Sequence, residues 1–117
     1  MAFEVHTRDA GPIAVIEAVG RLTLTDGHSK LRDLIHVSTG HGQSKFILNL
    51  AGVEYVDSWG IGELARCYAI VRETGGAIKL AGANQSLSGV LELARMNTIF
   101  EIYPGEGEAL QSFGLRA

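Results

Sequence analysis

The most informative run of chemically capable residues is Tyr55-Val56-Asp57-Ser58-Trp59-Gly60-Ile61-Gly62, where a carboxylate and a hydroxyl stand side by side ahead of two glycines. A serine nucleophile on a strand-to-helix elbow needs glycine two positions before it, and Val56 occupies that place. Gly60-Ile61-Gly62 lacks the third glycine and the strand-first context of a dinucleotide fingerprint, and no GxxxxGKS/T phosphate loop occurs. His6, His28, His36 and His41 show no HxxxH pair on one helix face, so they read as surface or loop residues and not as metal ligands. Cys67 is the only cysteine, which rules out an intramolecular disulfide or a CxxC site; in its apolar mid-helix setting it reads as an inert buried thiol. No catalytic residue, cofactor or metal is expected.

Two roles remain open for Asp57 and Ser58. Either side chain can cap a helix that starts here, accepting from amides the first turn leaves unpaired, while Gly60 and Gly62 let that helix close on a sheet. Alternatively, a phosphate on Ser58 sits where a helix N-terminus offers partial positive charge and free N–H donors, so the fold tolerates it. That group adds about −1.5 to −2 beside Asp57 at neutral pH, changing the surface and leaving the fold alone.

The elements that must position this segment follow from periodicity. Phe3 to Thr7 alternates, Ala10-Gly11-Pro12 turns, and Ile13 to Val19 is apolar and β-branched, which predicts an opening hairpin broken at Gly20. Thr25 or Asp26 is placed to cap a first helix carrying Leu31, Leu34 and Ile35, stopped by Gly40 and Gly42. Lys45 to Leu50 is nearly continuous in apolar residues, the pattern of a central strand buried on both faces, and Ala51 to Tyr55 reads as a loop. A helix follows over Ile61 to Thr74, with Ile61, Leu64, Ala65, Tyr68, Ala69 and Val71 on one face, and Gly75-Gly76 ends it. Ala77 to Ala81 is a strand. Asn84 or Ser86 starts a third helix with Val90, Leu91, Leu93 and Ala94 inside, Ile99 to Tyr103 is a last strand, and Gly105 to Phe113 a terminal helix.

The order β-β-α-β-α-β-α-β-α predicts an α/β domain with a mixed, mostly parallel sheet covered by helices. Val15, Ile47, Leu48, Leu64, Ile78 and Leu91 are its expected core. At 117 residues, 46% of them hydrophobic, residues 1–117 fit one domain without repeat or linker. A formal charge of −3 gives no basic footprint for nucleic acid. No apolar run approaches the roughly 20 residues that span a bilayer, and Met1-Ala2-Phe3-Glu4 begins no signal peptide, so a cytoplasmic protein without membrane contact is expected.

With the elements in place, the sequence resembles the STAS domain, the fold shared by anti-sigma factor antagonists and the cytoplasmic tails of sulfate transporters. Gly20-Arg21-Leu22 resembles the family's Gly-x-Leu after the second strand, and Phe46 to Val53 its central strand with an Asn/Asp-Leu exit. Asp57-Ser58-x-Gly60-Ile61-Gly62 matches the Asp-Ser-Ser/Thr-Gly-Leu/Ile-Gly signature, and Gly75-Gly76 with Ala77 to Ala81 the Gly-Gly and strand that follow. The resemblance implies a binding module in which Ser58 is phosphorylated by a serine kinase that is also the anti-sigma factor. The unmodified antagonist binds that kinase and frees the sigma factor, and the phosphorylated form lets go. Asp57 is then Ser58's neighbour at the kinase interface, and Gly60 and Gly62 permit close approach.

Two positions depart from the pattern: Trp59 replaces a small Ser or Thr, and Thr23 stands where many antagonists carry an acidic contact residue. Trp59 is read as a core anchor tucked under the loop or as a partly exposed partner contact, with exposure favoured because the family's small residue gives little reason to expect a core pocket for an indole. The implied partner is a protein, and the implied assembly a monomer or weak dimer. The alternative within the same fold is a scaffold subunit of a signalling or transport assembly whose Ser58 is never phosphorylated. A small enzyme or nucleotide binder lacks the base, phosphate loop and ligand spacing it needs.

Overall fold

The computed structural model describes residues 3–27 and 29–114. One five-stranded sheet is built from β1 (Glu4–Ala10), β2 (Ile13–Leu22), β3 (Lys45–Val56), β4 (Ala77–Ala81) and β5 (Ile102–Tyr103), in the spatial order β1-β2-β3-β4-β5. β1 and β2 form the antiparallel hairpin, and every later pairing is parallel, joined by α1 (Lys30–Gly40), α2 (Ser58–Glu73) and α3 (Gln85–Leu93). A 3-10 turn (Met96–Thr98) precedes β5, and α4 (Glu106–Ser112) follows it. This is the expected mixed α/β architecture, with β3 at the centre.

Alternation along the strands sorts the core into two layers. Ala14, Ile16 and Ala18 of β2 with Phe46, Leu48 and Leu50 of β3 point to the face covered by α1, α2 and α3, where they meet Leu31, Ile35, Leu64, Val71 and Leu91. Ile13, Val15, Ile47 and Ala81 point the other way, under Ala109 and Leu110 of α4. All six expected core residues are buried. The underside helix is secured by polar contacts at both ends. Arg8 and Asn49 bind the Glu106 carboxylate, and Lys79 donates to the Ser112 hydroxyl at 2.8 Å with its ammonium 4.1 Å from the Phe113 ring centre.

The structure corrects several expected boundaries. β2 does not break at Gly20: the glycine takes φ +105, which an L side chain resists, and the parallel ladder shifts register there and runs on to Leu22. β3 likewise continues through Ala51 to Tyr55, expected as a loop, to Val56. Thr25 and Asp26 do not start α1, because Thr23 claims them for a turn: the Asp26 amide donates to Thr23 Oγ1 at 3.2 Å and the Gly27 amide to the Thr23 carbonyl at 2.7 Å. The helix starts at Lys30 after Ser29, and His28 lies outside the described residues. α3 starts after Asn84, whose Oδ1 accepts from the Leu87 amide at 2.8 Å. Its buried residues are Leu87 and Leu91, one turn apart; Leu93, expected inside, lies two residues and some 200° round the helix from Leu91 and is 88% exposed. Ala69 is also exposed, since α2 buries the stripe Gly60, Leu64, Cys67 and Val71. Only Ile102 and Tyr103 of the expected last strand pair with β4.

Candidate functional site

The signature segment lies where the central strand hands over to α2. β3 ends at Val56, Asp57 takes an extended backbone (φ −96, ψ −174), and Ser58 is the first helical residue. Of the two candidate caps, Asp57 does the work. Its Oδ1 accepts from the Gly60 amide at 2.8 Å, and its Oδ2 accepts from the Leu24 amide at 3.0 Å. One carboxylate therefore closes the helix end and ties down the β2–α1 loop, with charge-assisted bonds to both. Ser58 is exposed, and among the described residues its hydroxyl has no hydrogen-bond partner.

The neighbours of Ser58 divide by function. Gly60 is fixed by packing: a Cβ there would lie 2.1 Å from the Leu22 carbonyl oxygen and 2.8 Å from Val56 Cγ1. Gly62 has no such constraint, since a Cβ there meets only the flexible end of Arg66 at 3.3 Å. Thr23 is buried, its hydroxyl turned to Asp26 Oδ2 at 3.3 Å, so it shapes the loop and presents almost no surface. Trp59 keeps the partial exposure favoured from the sequence and also packs as an anchor. It is half-buried, packed on the helix-side core, and its ring lies 2.6 Å from where a Cβ on Gly27 would stand. The indole thus fits over the loop glycine, a pocket invisible in the sequence because Gly27 lies 32 residues away from Trp59 and creates it by lacking a side chain.

Sequence reasoning missed Glu63. It is 1% exposed on the buried stripe of α2, between the Arg32 Nε of α1 at 3.3 Å and Arg66 Nη1 at 3.1 Å. A charge falling on an apolar stripe, with arginine three residues on, was the available signal; Arg32 is too distant in sequence to be seen. The ion pair joins α1 to α2 inside the helix layer, where an unpaired carboxylate would be strongly destabilising. Beside it, burial first and the Glu63 charge second push the Cys67 thiol up to about 12, against the opposing pull of Arg32. That thiol is an unreactive core group, as its surroundings predicted.

A groove of about 420 Å³ opens beside Ser58, between the β3–α2 junction and α3, with Tyr55, Ile61 and Leu93 among its lining residues. Among the described residues there is no cluster of His, Cys, Asp and Glu able to hold a metal ion, and no helix is long and apolar enough to cross a membrane. The arrangement offers a free hydroxyl on a braced helix end, flanked by a carboxylate and apolar surface.

A sheet with this order, with an Asp-capped helix springing from its central strand, matches known proteins over most of the chain. The family model described as "Mlab, STAS domain" matches residues 5–103, and the chain belongs to the STAS domain family. A Thermotoga neapolitana protein provisionally named an anti-sigma factor antagonist is 31% identical over 70 residues, which is 60% of this chain and 62% of that protein. The chain thus aligns with somewhat less than two thirds of the length of the curated relatives it matches. The crystal structure of a Thermotoga maritima protein with the same provisional naming superposes with a TM-score of 0.85 at 21% identity, covering 92% of each chain. The anti-sigma factor antagonist SpoIIAA in its unphosphorylated form superposes with a TM-score of 0.72 at 18% identity, covering 97% of this chain and 98% of that one. The phosphorylated form of SpoIIAA, from Bacillus, gives 0.70, again at 18% identity, over 96% and 99%. At these identities the structural likeness concerns the fold.

Proposed function

We propose that residues 1–117 form a single STAS domain acting in the cytoplasm as an anti-sigma factor antagonist. It binds a kinase-type anti-sigma factor while Ser58 is unmodified and releases it once Ser58 is phosphorylated. The observation that carries this reading is the division of labour at the start of α2: Asp57 makes the capping bonds, so Ser58 is left exposed with its hydroxyl uncommitted. A kinase can therefore modify Ser58 without dismantling the helix end. The names of the Thermotoga relatives and the two SpoIIAA forms support the same direction.

The switch is electrostatic and steric. A phosphoserine brings about −1.5 to −2 charges next to Asp57, whose carboxylate is already fixed by the Gly60 and Leu24 amides. A partner seated over the neutral hydroxyl must then desolvate a dianion and a carboxylate together, which opposes re-binding. Gly62 adds an open strip of helix surface for close approach. Trp59 and Thr23 contribute through the loop they brace, and Gly60 through the helix position it permits.

The test is intact-mass spectrometry after incubation with the cognate kinase and ATP, paired with binding titrations. One phosphate is expected on the wild type and none on Ser58→Ala, with affinity lost on modification and retained in the variant. Stoichiometric phosphate on Ser58→Ala, or unchanged affinity after modification, refutes the switch. A wild type that stays unmodified while assembling stably with another protein returns the scaffold reading.

A further inference from the structure

The sheet has two edges of very different length. β5 pairs with β4 over Ile102 and Tyr103 alone and stops at Pro104, a short edge that offers another strand little to join. β1 runs from Glu4 to Ala10, and its ladder with β2 is unbroken from Glu4–Val19 to Ala10–Ile13, without proline or bulge. The two-residue turn at Gly11-Pro12 closes on the bonded pair Ala10–Ile13, and bonded pairs alternate along an antiparallel ladder. Glu4, His6 and Arg8 therefore spend their backbone groups on β2, while those of Val5, Thr7 and Asp9 point out of the sheet. On the helix side α1 leaves this edge uncovered: a hollow of about 440 Å³ opens between Thr7, Asp9 and the carboxyl end of α1 at Ser38 and His41. Arg32 marks the α2 side of α1 through its contact with Glu63, so Leu34 and Val37, about 200° and 140° round the helix from it, face away from α2. Val37 is 58% exposed there.

We propose that β1 is a self-association edge: two copies of this chain join antiparallel through β1 about a two-fold axis at His6, making one continuous sheet. The outward groups permit this register, because Val5 of one copy then exchanges backbone bonds with Thr7 of the other. Charge selects it. Centred on His6, Glu4 of each copy stands opposite Arg8 of the other, in the non-bonded pairs where side chains approach closest. Centred on Thr7 instead, Arg8 would face the second copy's His6, and Glu4 would face Ala10. Arg8 holds Glu106 and Glu17 through Nη2, which leaves Nε and Nη1 for the incoming Glu4. The axis runs perpendicular to the sheet, so both α1 helices lie on one side of the seam, with Leu34 and Val37 turned toward the second copy. A single strand pair buries less than the about 1,200 Å² at which stable complexes begin, so this is a weak, concentration-dependent dimer. The seam lies two strands from β3, so it stands independently of the Ser58 reading. It also points the two Ser58 ends in opposite directions, where both can be engaged together.

The experiment is sedimentation equilibrium of the purified protein over about a hundredfold range of concentration, since self-association follows mass action. The wild type is expected to rise from the mass of one chain toward that of two. Glu4→Arg and Arg8→Glu each turn two attractive pairs into two repulsive ones, so each variant alone should associate about tenfold more weakly. Mixed one to one, they should recover wild-type association, because both facing pairs are then opposite in charge again. Thr7→Pro removes an outward amide that β2 does not use, so it should keep its fold by circular dichroism and stay monomeric. If Arg8→Glu does not fold without its Glu106 contact, Glu4→Arg and Thr7→Pro decide the question. A monomeric wild type, a Thr7→Pro protein that associates like wild type, charge variants no weaker than wild type, or a mixture that fails to recover overturns the proposal, and none of these results bears on Ser58.

Discussion

Two glycines two residues apart in the same motif should respond to alanine with opposite signs. In Gly60→Ala the new methyl lands 2.1 Å from the Leu22 carbonyl oxygen and 2.8 Å from Val56 Cγ1, inside the 3.0 Å that real Cβ atoms keep. One obstacle is backbone of a paired strand, so helix and sheet must move apart. Overpacking of this kind costs about 1 to 3 kcal/mol, and the backbone contact argues for the upper end. The helix propensity gained on replacing glycine returns about 1 kcal/mol, leaving a net loss of about 2 kcal/mol. In Gly62→Ala the same gain meets only the movable Arg66 side chain at 3.3 Å, so a stabilisation of about 0.5 to 1 kcal/mol is expected. Urea unfolding followed by circular dichroism, analysed by linear extrapolation, resolves the gap of about 3 kcal/mol. Two losses of similar size, or a neutral Gly60→Ala, refute the claim that packing against Leu22 fixes one glycine and leaves the other free. The stable Gly62→Ala protein then tests the proposed partner contact free of any loss of stability.

Three further outcomes are expected. Trp59→Ala should lose less than the about 3 to 5 kcal/mol typical of a fully buried tryptophan, because the half-buried ring packs on the core with one side only; a Tm equal to wild type would show that the ring does not brace the loop. Burial raises the Glu106 carboxyl, but its bonds to Arg8 and Asn49 outweigh that and hold it below the usual 4.5. Its contribution is therefore present above that value and lost as pH falls through the lowered one, so the urea midpoints of wild type and Arg8→Gln should converge in acid, and a gap independent of pH refutes the pairing. Cys67, pushed up to about 12, should react with a thiol reagent in the native protein only as fast as the domain opens, and rapid stoichiometric labelling at neutral pH would contradict its burial.

Most elements were legible because a single local signal marked each one. Lys45 to Leu50 announces a two-faced strand by its apolar run, Asn84 marks a helix start, and Gly75-Gly76 separates α2 from β4. Leu93 and Ala69 were misplaced by the turn of their own helices, but the other misreadings share one cause, an effect that arrives from a distant part of the chain. Gly20 and Ala51-Gly52 look like breakers until their neighbours in the parallel ladder are known; there the register shifts absorb them. Along β3 the shift buries Leu50, Val53 and Val56 at spacing three, which hides the period of two. Thr25 and Asp26 have cap chemistry that Thr23 diverts into a turn. At the site, the Asp-Ser pair was visible, but which of the two caps depended on the Leu24 amide 33 residues away. Trp59 needed Gly27, and Glu63 needed Arg32, before either made sense.

The strictly sequential strand order carries one more consequence. Parallel crossovers keep one hand, so a sheet that always advances in the same direction sends α1, α2 and α3 to one face. Sheets that bind small molecules at the carboxyl ends of their strands do so at a switch point, where successive crossovers diverge to opposite faces and leave a crevice. A monotone order has no such divergence among its parallel connections. At the carboxyl end of β3 the chain therefore presents a helix start shored up by a loop, with Ser58 on its outer side, a topography that suits the proposed reading from outside by another protein's surface.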